Sequence, residues 1–335
     1  METKNQWKAW IYLAPALILL AIFTFYPFIK TIIISFMGSY NADGQLSGYN
    51  PTSAYGYEFT LRNFYNVSTM KVVVDGVLVE KVVVTGALGS SQFFTALKNT
   101  AVIAVITVPG STIIALLMSV ALNSIKPLQK LLQTIYFLPY VTNSIAIGMV
   151  FAVMFEVTTA STIDQASTVG VINEFFGLFG IDPKLWVHVS ATWGAKMTVA
   201  CIYGIWNALP FKIMILLGAL QSVNKQYYDA AKIDCASRTR TFFKITVPML
   251  SPMISYVLIT GFIGAFKEYT NAVALFGSDL RDAGMNTIVG YVYDTLYSAT
   301  GGYPSYASAA AIILLLIVMT ITAINLLVSK KHVHY

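Results

Sequence analysis

Residues 228–248 read Tyr228-Asp229-Ala230-Ala231-Lys232-Ile233-Asp234-Cys235-Ala236-Ser237-Arg238-Thr239-Arg240-Thr241-Phe242-Phe243-Lys244-Ile245-Thr246-Val247-Pro248. Long apolar runs flank this polar stretch on both sides. Its periodicity predicts two short amphipathic helices joined by a turn. Ala230, Ala231 and Ile233 offer a small apolar surface, while Asp229, Lys232 and Asp234 keep the segment wet. Phe242 and Ile245 fall three apart on the next helical face, and Pro248 marks the start of the following apolar run. Seven charged side chains lie between Lys225 and Lys244, a concentration that the rest of the chain does not share.

Of the 335 residues, 56% are hydrophobic and 11% are charged. Soluble domains carry roughly 25% charged residues, so this chain lacks the wettable exterior that a soluble enzyme or a disordered tail protein needs. A formal charge of +6 would ordinarily suggest nucleic acid. In so apolar a chain, basic loops beside anionic lipid account for the excess, and no nucleic-acid partner is expected. Cys201 and Cys235 form no C-x-x-C pair, which excludes a disulfide framework. His332 and His334 form an H-x-H at the C-terminal end, read as a solvated tail, so no metal site is expected.

A membrane-crossing helix needs about 20 mainly apolar residues. Six stretches qualify: Trp10–Phe36, Thr100–Leu122, Leu131–Phe155, Ala195–Leu220, Met249–Phe276 and Tyr306–Val328. The first is too long, and lacks a small-x-small site, for a cleaved signal peptide. With the N-terminus inside, segments 1–9, 123–130, 221–248 and 329–335 hold eleven Lys and Arg residues. The longer segments 37–99, 156–194 and 277–305 hold six, so the inside density is more than four times higher. Both termini are therefore expected in the cytoplasm.

Segment 37–99 begins rich in Gly, Ser, Asn and Tyr and then reads Lys71-Val72-Val73-Val74-Asp75-Gly76-Val77-Leu78-Val79-Glu80. Asp-Gly between two β-branched runs predicts a hairpin, because a type I′ turn needs positive φ at both central residues. The expected organisation is residues 1–36 (N-terminal segment and first crossing), 37–99 (an extracytoplasmic insert with some β-structure) and 100–330 (the helical core). The insert either packs over the helix ends or docks a partner.

At Tyr228–Pro252 the sequence resembles the E-A-A-x-x-D-G-A…F…I-T-x-P loop of permease subunits in binding-protein-dependent ABC importers. Two positions depart from that pattern: Asp229 stands for Glu, and Cys235 for Gly. A left-handed turn at Cys235 costs roughly 1–2 kcal/mol that glycine avoids. Leu13-Ala14-Pro15-Ala16-Leu17, Phe25-Tyr26-Pro27, Ser35-Phe36, Phe59-Thr60-Leu61-Arg62-Asn63-Phe64-Tyr65, Phe137-Leu138-Pro139, Gly170-Val171-Ile172-Asn173 and Ile205-Trp206-Asn207-Ala208-Leu209-Pro210-Phe211 follow in the family's order. Together they resemble its first, maltose-permease-like carbohydrate branch. The tail lacks the G-x-x-x-G-x-x-K-G ending of the second subunit, and residues 66–92 fall outside the likeness.

The resemblance implies an all-α polytopic membrane protein: six transmembrane helices of the type I importer permease fold in a bacterial cytoplasmic membrane. It implies that Tyr228, Asp229, Ala230, Ala231, Asp234, Cys235, Ala236, Phe242 and Pro248 engage a cytoplasmic ATPase. The implied partners are a second homologous permease, two ATPase copies, an extracytoplasmic solute-binding protein and a carbohydrate. No G-x-x-x-x-G-K-[ST] occurs, so no phosphate-cradling loop is present. The chain is read as a transport subunit rather than an enzyme, with ATP and magnesium held by the ATPase partners and no cofactor of its own.

Polar groups within crossings are costly and mark pathways. Matching positions imply substrate contacts at Asn207, Ala208 and Phe211, beside the helix-distorting Pro210, and at Glu268 of Phe266-Lys267-Glu268-Tyr269. Gly261 and Gly264 permit close approach of a helix or ligand. Phe211 either packs against lipid or core or faces a sugar ring. Lys267 and Glu268 are read first as a pair with each other, with substrate contact as the alternative. Lys212 is expected to snorkel or to pair, and Asn143 and Ser144 to join helices. Competing functions are an importer of another solute, such as a polyol or sugar phosphate, and a stand-alone secondary transporter.

Overall fold

The computed structural model describes residues 6–38, 59–74, 77–125, 129–158, 168–297 and 303–332. Asp75, Gly76 and His334, named above, lie outside the described residues. Helices account for nearly all of the regular structure. They are α1 (Gln6–Leu20), α2 (Tyr26–Ser35), α3 (Ser91–Ser124), α4 (Gln129–Val141), α5 (Ser144–Phe155), α6 (Val171–Gly177), α7 (Trp193–Ser222), α8 (Lys225–Ile233), α9 (Arg238–Thr241), α10 (Val247–Phe266), α11 (Thr270–Phe276), α12 (Ile288–Leu296) and α13 (Pro304–His332). The chain divides into two compact units, residues 1–94 with 291–315 and residues 95–290 with 316–335.

In the first unit, α1 runs into α2 through a π-helical turn, Ala21–Phe25. Pro27 follows in the first turn of α2. A proline inside a helix has no N–H for the carbonyl four residues earlier, and the wider π turn absorbs the mismatch. The same device recurs in the second unit, where the π turn Phe242–Thr246 precedes Pro248. The insert forms the expected hairpin, and a longer one: β1 (Asn66–Val74) pairs antiparallel with β2 (Val77–Thr85), from Asn66↔Thr85 to Val74↔Val77. Buried Asn63 ties the insert to the end of α2, its Nδ2 donating to the Ser35 and Met37 carbonyls at 3.0 and 2.7 Å. Gly86 has φ +89, and a Cβ there would stand 2.7 Å from the Arg62 carbonyl oxygen, so the hairpin's return requires glycine.

Five helices of the described residues are long and apolar enough to cross a membrane, and a bent pair, Leu131–Val141 with Ser144–Phe155, brings the number to six. The expected third crossing is thus not one straight helix. It turns by 97° where Asn143 leaves helical geometry and accepts from the Ile145 and Ala146 amides at 2.9 and 3.4 Å. An uninterrupted apolar stretch hides such a cap. The second crossing starts earlier than its apolar run, at Ser91, so α3 takes the last residues assigned to the insert. The fifth differs at both ends. Its helix runs continuously over Arg238–Phe266, so the second amphipathic helix expected near Phe242 is the first part of the crossing itself. It stops at Phe266, and α11 is a separate element. A further short pair, β3 (Val157–Thr158) with β4 (Thr168–Val169), was not anticipated.

Within the second unit, Ile103, Phe155, Met197, Tyr203, Leu275 and Met285 belong to one buried cluster. A second joins Ala115 and Leu122 to Ile213, Leu216 and Leu217. The ends of α3 and α7 are pinned to the segment after α11. Asn99 Nδ2 donates to the Gly284 and Asn286 carbonyls at 3.1 and 3.0 Å, and its Oδ1 accepts from Trp193 Nε1 at 2.8 Å. Lys196 Nζ donates to the Val189 and Ala283 carbonyls, both at 2.7 Å. Gly148 of α5 lies against Ala274 of α11, where a side chain would collide with the Ala274 methyl.

Candidate functional site

A cavity of about 320 Å³ opens in the second unit between α3, α7, α10 and α11, with Tyr140 of α4 on its wall. Six of the seven residues expected at a substrate site line it: Asn207, Ala208, Phe211, Gly261, Gly264 and Glu268. Helix spacing explains the α7 group, because residues 207, 208 and 211 share one face. Asn207 Nδ2 donates to Asn271 Oδ1 at 3.3 Å. Asn271 in turn donates its backbone N–H to Glu268 Oε1 at 2.8 Å and its Nδ2 to Oε2 at 2.9 Å. Asn207, Asn271 and Glu268 therefore form one polar chain on the cavity wall. Phe211 stacks on Tyr140 with centroids 5.9 Å apart and planes at 17°. Aromatic faces and amide groups side by side suit a polyhydroxylated ring, which presents C–H faces and a rim of hydroxyls.

Lys267 does not line the cavity, and the expected Lys267–Glu268 pair is not formed. Among the described residues the ion pair is Lys232–Asp229. The end of α10 explains the separation. The Lys267 and Glu268 amides close onto the Gly264 and Ala265 carbonyls, and the chain then turns into α11. Glu268 is left facing Asn271, while Lys267 is exposed.

Lys212 neither snorkels nor pairs. It is 4% exposed and lines the cavity. Its Nζ donates to the Val108 carbonyl at 3.0 Å, Ser111 Oγ at 2.7 Å and Thr112 Oγ1 at 3.0 Å. Gly261 makes room for it, since a Cβ there would stand 3.3 Å from Nζ and 2.9 Å from Val108 Cγ1. Tyr140 and Asn271 were not expected. Tyr140 directly follows the Phe137-Leu138-Pro139 motif and Asn271 is a polar residue in an apolar run, but neither signal says which face is turned inward. Asn143 caps α5, and the Ser144 carbonyl accepts from Tyr203 Oη at 2.8 Å, so both positions organise helices.

The segment 228–248 builds a second candidate surface. Asn224 caps α8, accepting from the Gln226 amide at 3.0 Å. Lys232 and Asp229 pair at 2.8 Å on the exposed side, and the hydrogen bond from Lys232 holds the Asp229 carboxyl below the usual carboxylate range. Ala231 is buried, whereas Ala230, Ile233, Asp234 and Cys235 are exposed. Half-buried Tyr228 lies within hydrogen-bond distance of Thr246, Oη to Oγ1 3.3 Å, which ties α8 to the π turn. Phe242 opens that turn and Pro248 stands in the first turn of α10.

The turn after α8 keeps the geometry that its glycine-like position demands. Cys235 has φ 52, the positive-φ non-glycine among the described residues. The Cys235 amide donates to the Lys232 carbonyl and the Ala236 amide to the Ala231 carbonyl, the two bonds of a Schellman motif. Cys235 takes the left-handed angles that a glycine would adopt freely, and does so at a cost. Cys235→Gly should therefore stabilise the protein by about 1 kcal/mol, read as a higher thermal midpoint in detergent. An unchanged or lower midpoint would show that the turn carries no such cost.

Among the described residues no group of three or more His, Cys, Asp or Glu is placed to hold a metal ion. The family described as binding-protein-dependent transport system inner membrane component matches residues 111–332. The chain is 29% identical over 315 residues to a probable ABC transporter permease protein, MG188, of Mycoplasma genitalium, covering 92% of this chain and 81% of that one. It is 29% identical over 275 residues to the arabinooligosaccharides transport system permease protein AraP of Halalkalibacterium halodurans, covering 80% and 83%. Its fold matches a chain of a bacterial ABC transporter involved in the import of the acidic polysaccharide alginate, with a TM-score of 0.70, 19% identity and coverage of 98% and 96%. The matched stretch spans more than half of the sequence, and the chain belongs to the family of binding-protein-dependent transport system inner membrane components.

Proposed function

We propose that this chain is one of two permease subunits in an ATP-driven importer of a sugar or oligosaccharide and lines half of the translocation pathway. The observation that carries this reading is the cavity, in which a polar chain (Asn207, Asn271, Glu268) and a stacked aromatic pair (Tyr140, Phe211) share one space. The aromatic pair would take the face of a pyranose ring and the polar chain its hydroxyls. The arabinooligosaccharide permease is a relative with this class of solute. The second permease, two ATPase copies and an extracytoplasmic binding protein complete the assembly, with ATP and magnesium on the ATPases.

In this scheme the ATPases close on ATP and move α8 and the turn at Asp234–Ala236 as a unit. The Schellman closure and the Tyr228–Thr246 contact pass the displacement into the long helix Arg238–Phe266. Gly261 and Gly264 of that helix line the cavity, so movement of the helix alters access to the site. The basic residues of segments 1–9, 123–130, 221–248 and 329–335 support an orientation with both termini in the cytoplasm of a bacterial cell.

The test is ATP hydrolysis by the purified complex in lipid, with and without solute-loaded binding protein. Stimulation by the loaded binding protein is the expected result. Transport by this chain in vesicles lacking any ATPase would overturn the proposal in favour of a stand-alone secondary transporter.

A further inference from the structure

The Lys212 ammonium is the one feature of the cavity that recognition of a neutral sugar leaves unused. A charged group in a membrane crossing costs about 2.5–3.5 kcal/mol on insertion scales and marks a pathway by default, and buried charges are ordinarily paired. Lys212 is buried, and among the described residues no carboxylate bridges it. Glu268 lines the same cavity but has a local partner for each oxygen in the Asn271 amide and Nδ2. The positive charge at Lys212 faces only neutral oxygens.

From this arrangement we propose that the solute is a saccharide carrying an anionic group, carboxylate or phosphate, which is received by Lys212. The inference rests on the carbohydrate reading above and deepens it. Three physical points support it. First, two of the three acceptors of the ammonium are the hydroxyls of Ser111 and Thr112, and each hydroxyl already donates to its own helix, Ser111 to the Thr107 carbonyl and Thr112 to the Val108 carbonyl. Neither needs the lysine proton for its own satisfaction. Second, replacing a hydroxyl acceptor by an anionic oxygen roughly doubles the strength of that bond. Replacing it by a hydroxyl of a neutral sugar exchanges like for like. Third, Lys212 itself lines the cavity, and at Gly264, one turn along α10 from the lysine's contact at Gly261, nothing stands within 4 Å of the absent Cβ, so the space for a ligand lies beside Gly264 rather than against Gly261. Glu268 stands elsewhere on the wall with both oxygens taken by Asn271, so the anionic group is expected at the Lys212 end of the solute and neutral hydroxyls at the other.

The test uses the purified complex in lipid nanodiscs and equilibrium binding of matched probes: glucose, glucuronate and glucose 6-phosphate, then cellobiose against cellobiouronate. An anionic probe should bind roughly 10- to 100-fold tighter than its neutral counterpart, and the carboxylate and phosphate arms show which anion is favoured. Lys212→Gln should remove that difference. Gly261→Ala, which keeps the charge but places a methyl beside Nζ, should weaken the anionic probes more than the neutral ones. The ratio of the two affinities within one preparation is the readout, so a loss of folded protein cannot imitate the effect. Equal or tighter binding of the neutral probes, or an anionic preference that survives Lys212→Gln, overturns the inference and leaves the carbohydrate reading standing. Binding of no saccharide at all removes both.

Discussion

Ile233→Asp is expected to release the ATPase from the complex, lowering co-purified ATPase roughly 10- to 100-fold. Ile233 is 82% exposed at the C-terminal end of α8, beside exposed Ala230. Burying an isoleucine side chain against a partner contributes about 1.5–3 kcal/mol, which corresponds to that range in affinity. Aspartate loses this contribution and places an unpaired carboxylate in the interface, near Asp229 and Asp234. The substitution leaves the internal support of α8 intact. The cap at Asn224, the Lys232–Asp229 pair and the Schellman closure do not involve the Ile233 side chain. An unchanged thermal midpoint with loss of ATPase is therefore the diagnostic combination. If the variant complex keeps its ATPase and its stimulated hydrolysis, the exposed face of α8 is not the docking surface.

Glu268→Gln should reduce solute transport at least tenfold through misplacement of the polar chain. Glu268 accepts both the backbone and the side-chain N–H of Asn271. A glutamine has one acceptor oxygen for those two donors, so one loses its partner, at about 1–3 kcal/mol if it stays dry. Asn271 then no longer holds its Oδ1 for Asn207 Nδ2. Asn271→Ala tests the relay separately: it removes the link and keeps the carboxylate. Comparable losses from the two variants identify the polar chain as the working unit. A loss with Glu268→Gln alone assigns the effect to direct contact between carboxylate and solute. Full transport by both would mean that this wall of the cavity does not meet the solute.

The membrane class and the helical crossings were legible because both follow from summed transfer free energy. Roughly 20 apolar residues are stable only across a bilayer, whatever their order within the run. The hairpin was legible for a local reason, since Asp-Gly between β-branched runs dictates its turn chemistry. Segment 228–248 stood out because seven charges between Lys225 and Lys244 are expensive unless solvated. Hydropathy does not register where a run is interrupted inside its own apolar length. The cap at Asn143, the stop after Phe266 and the continuation of the Arg238–Phe266 helix through the polar segment are single hydrogen-bonding decisions of that kind.

The cavity divides along the same line. Asn207, Ala208 and Phe211 share a helix face, and that much is periodicity. The partner of each polar group is a matter of which helices meet, which no local pattern contains. Lys267 and Glu268 are neighbours in sequence and could pair, yet the turn at the end of α10 separates them and gives Glu268 to Asn271. Lys212 has no acidic neighbour along its own helix, and its acceptors lie about a hundred residues away on α3. The sequence by itself determined that this chain spans a membrane and where it carries a polar loop, because those properties are additive along the chain. Only the tertiary structure decided that Lys212 is buried without a carboxylate and faces the cavity, because the fate of a buried charge depends on groups brought to it by packing.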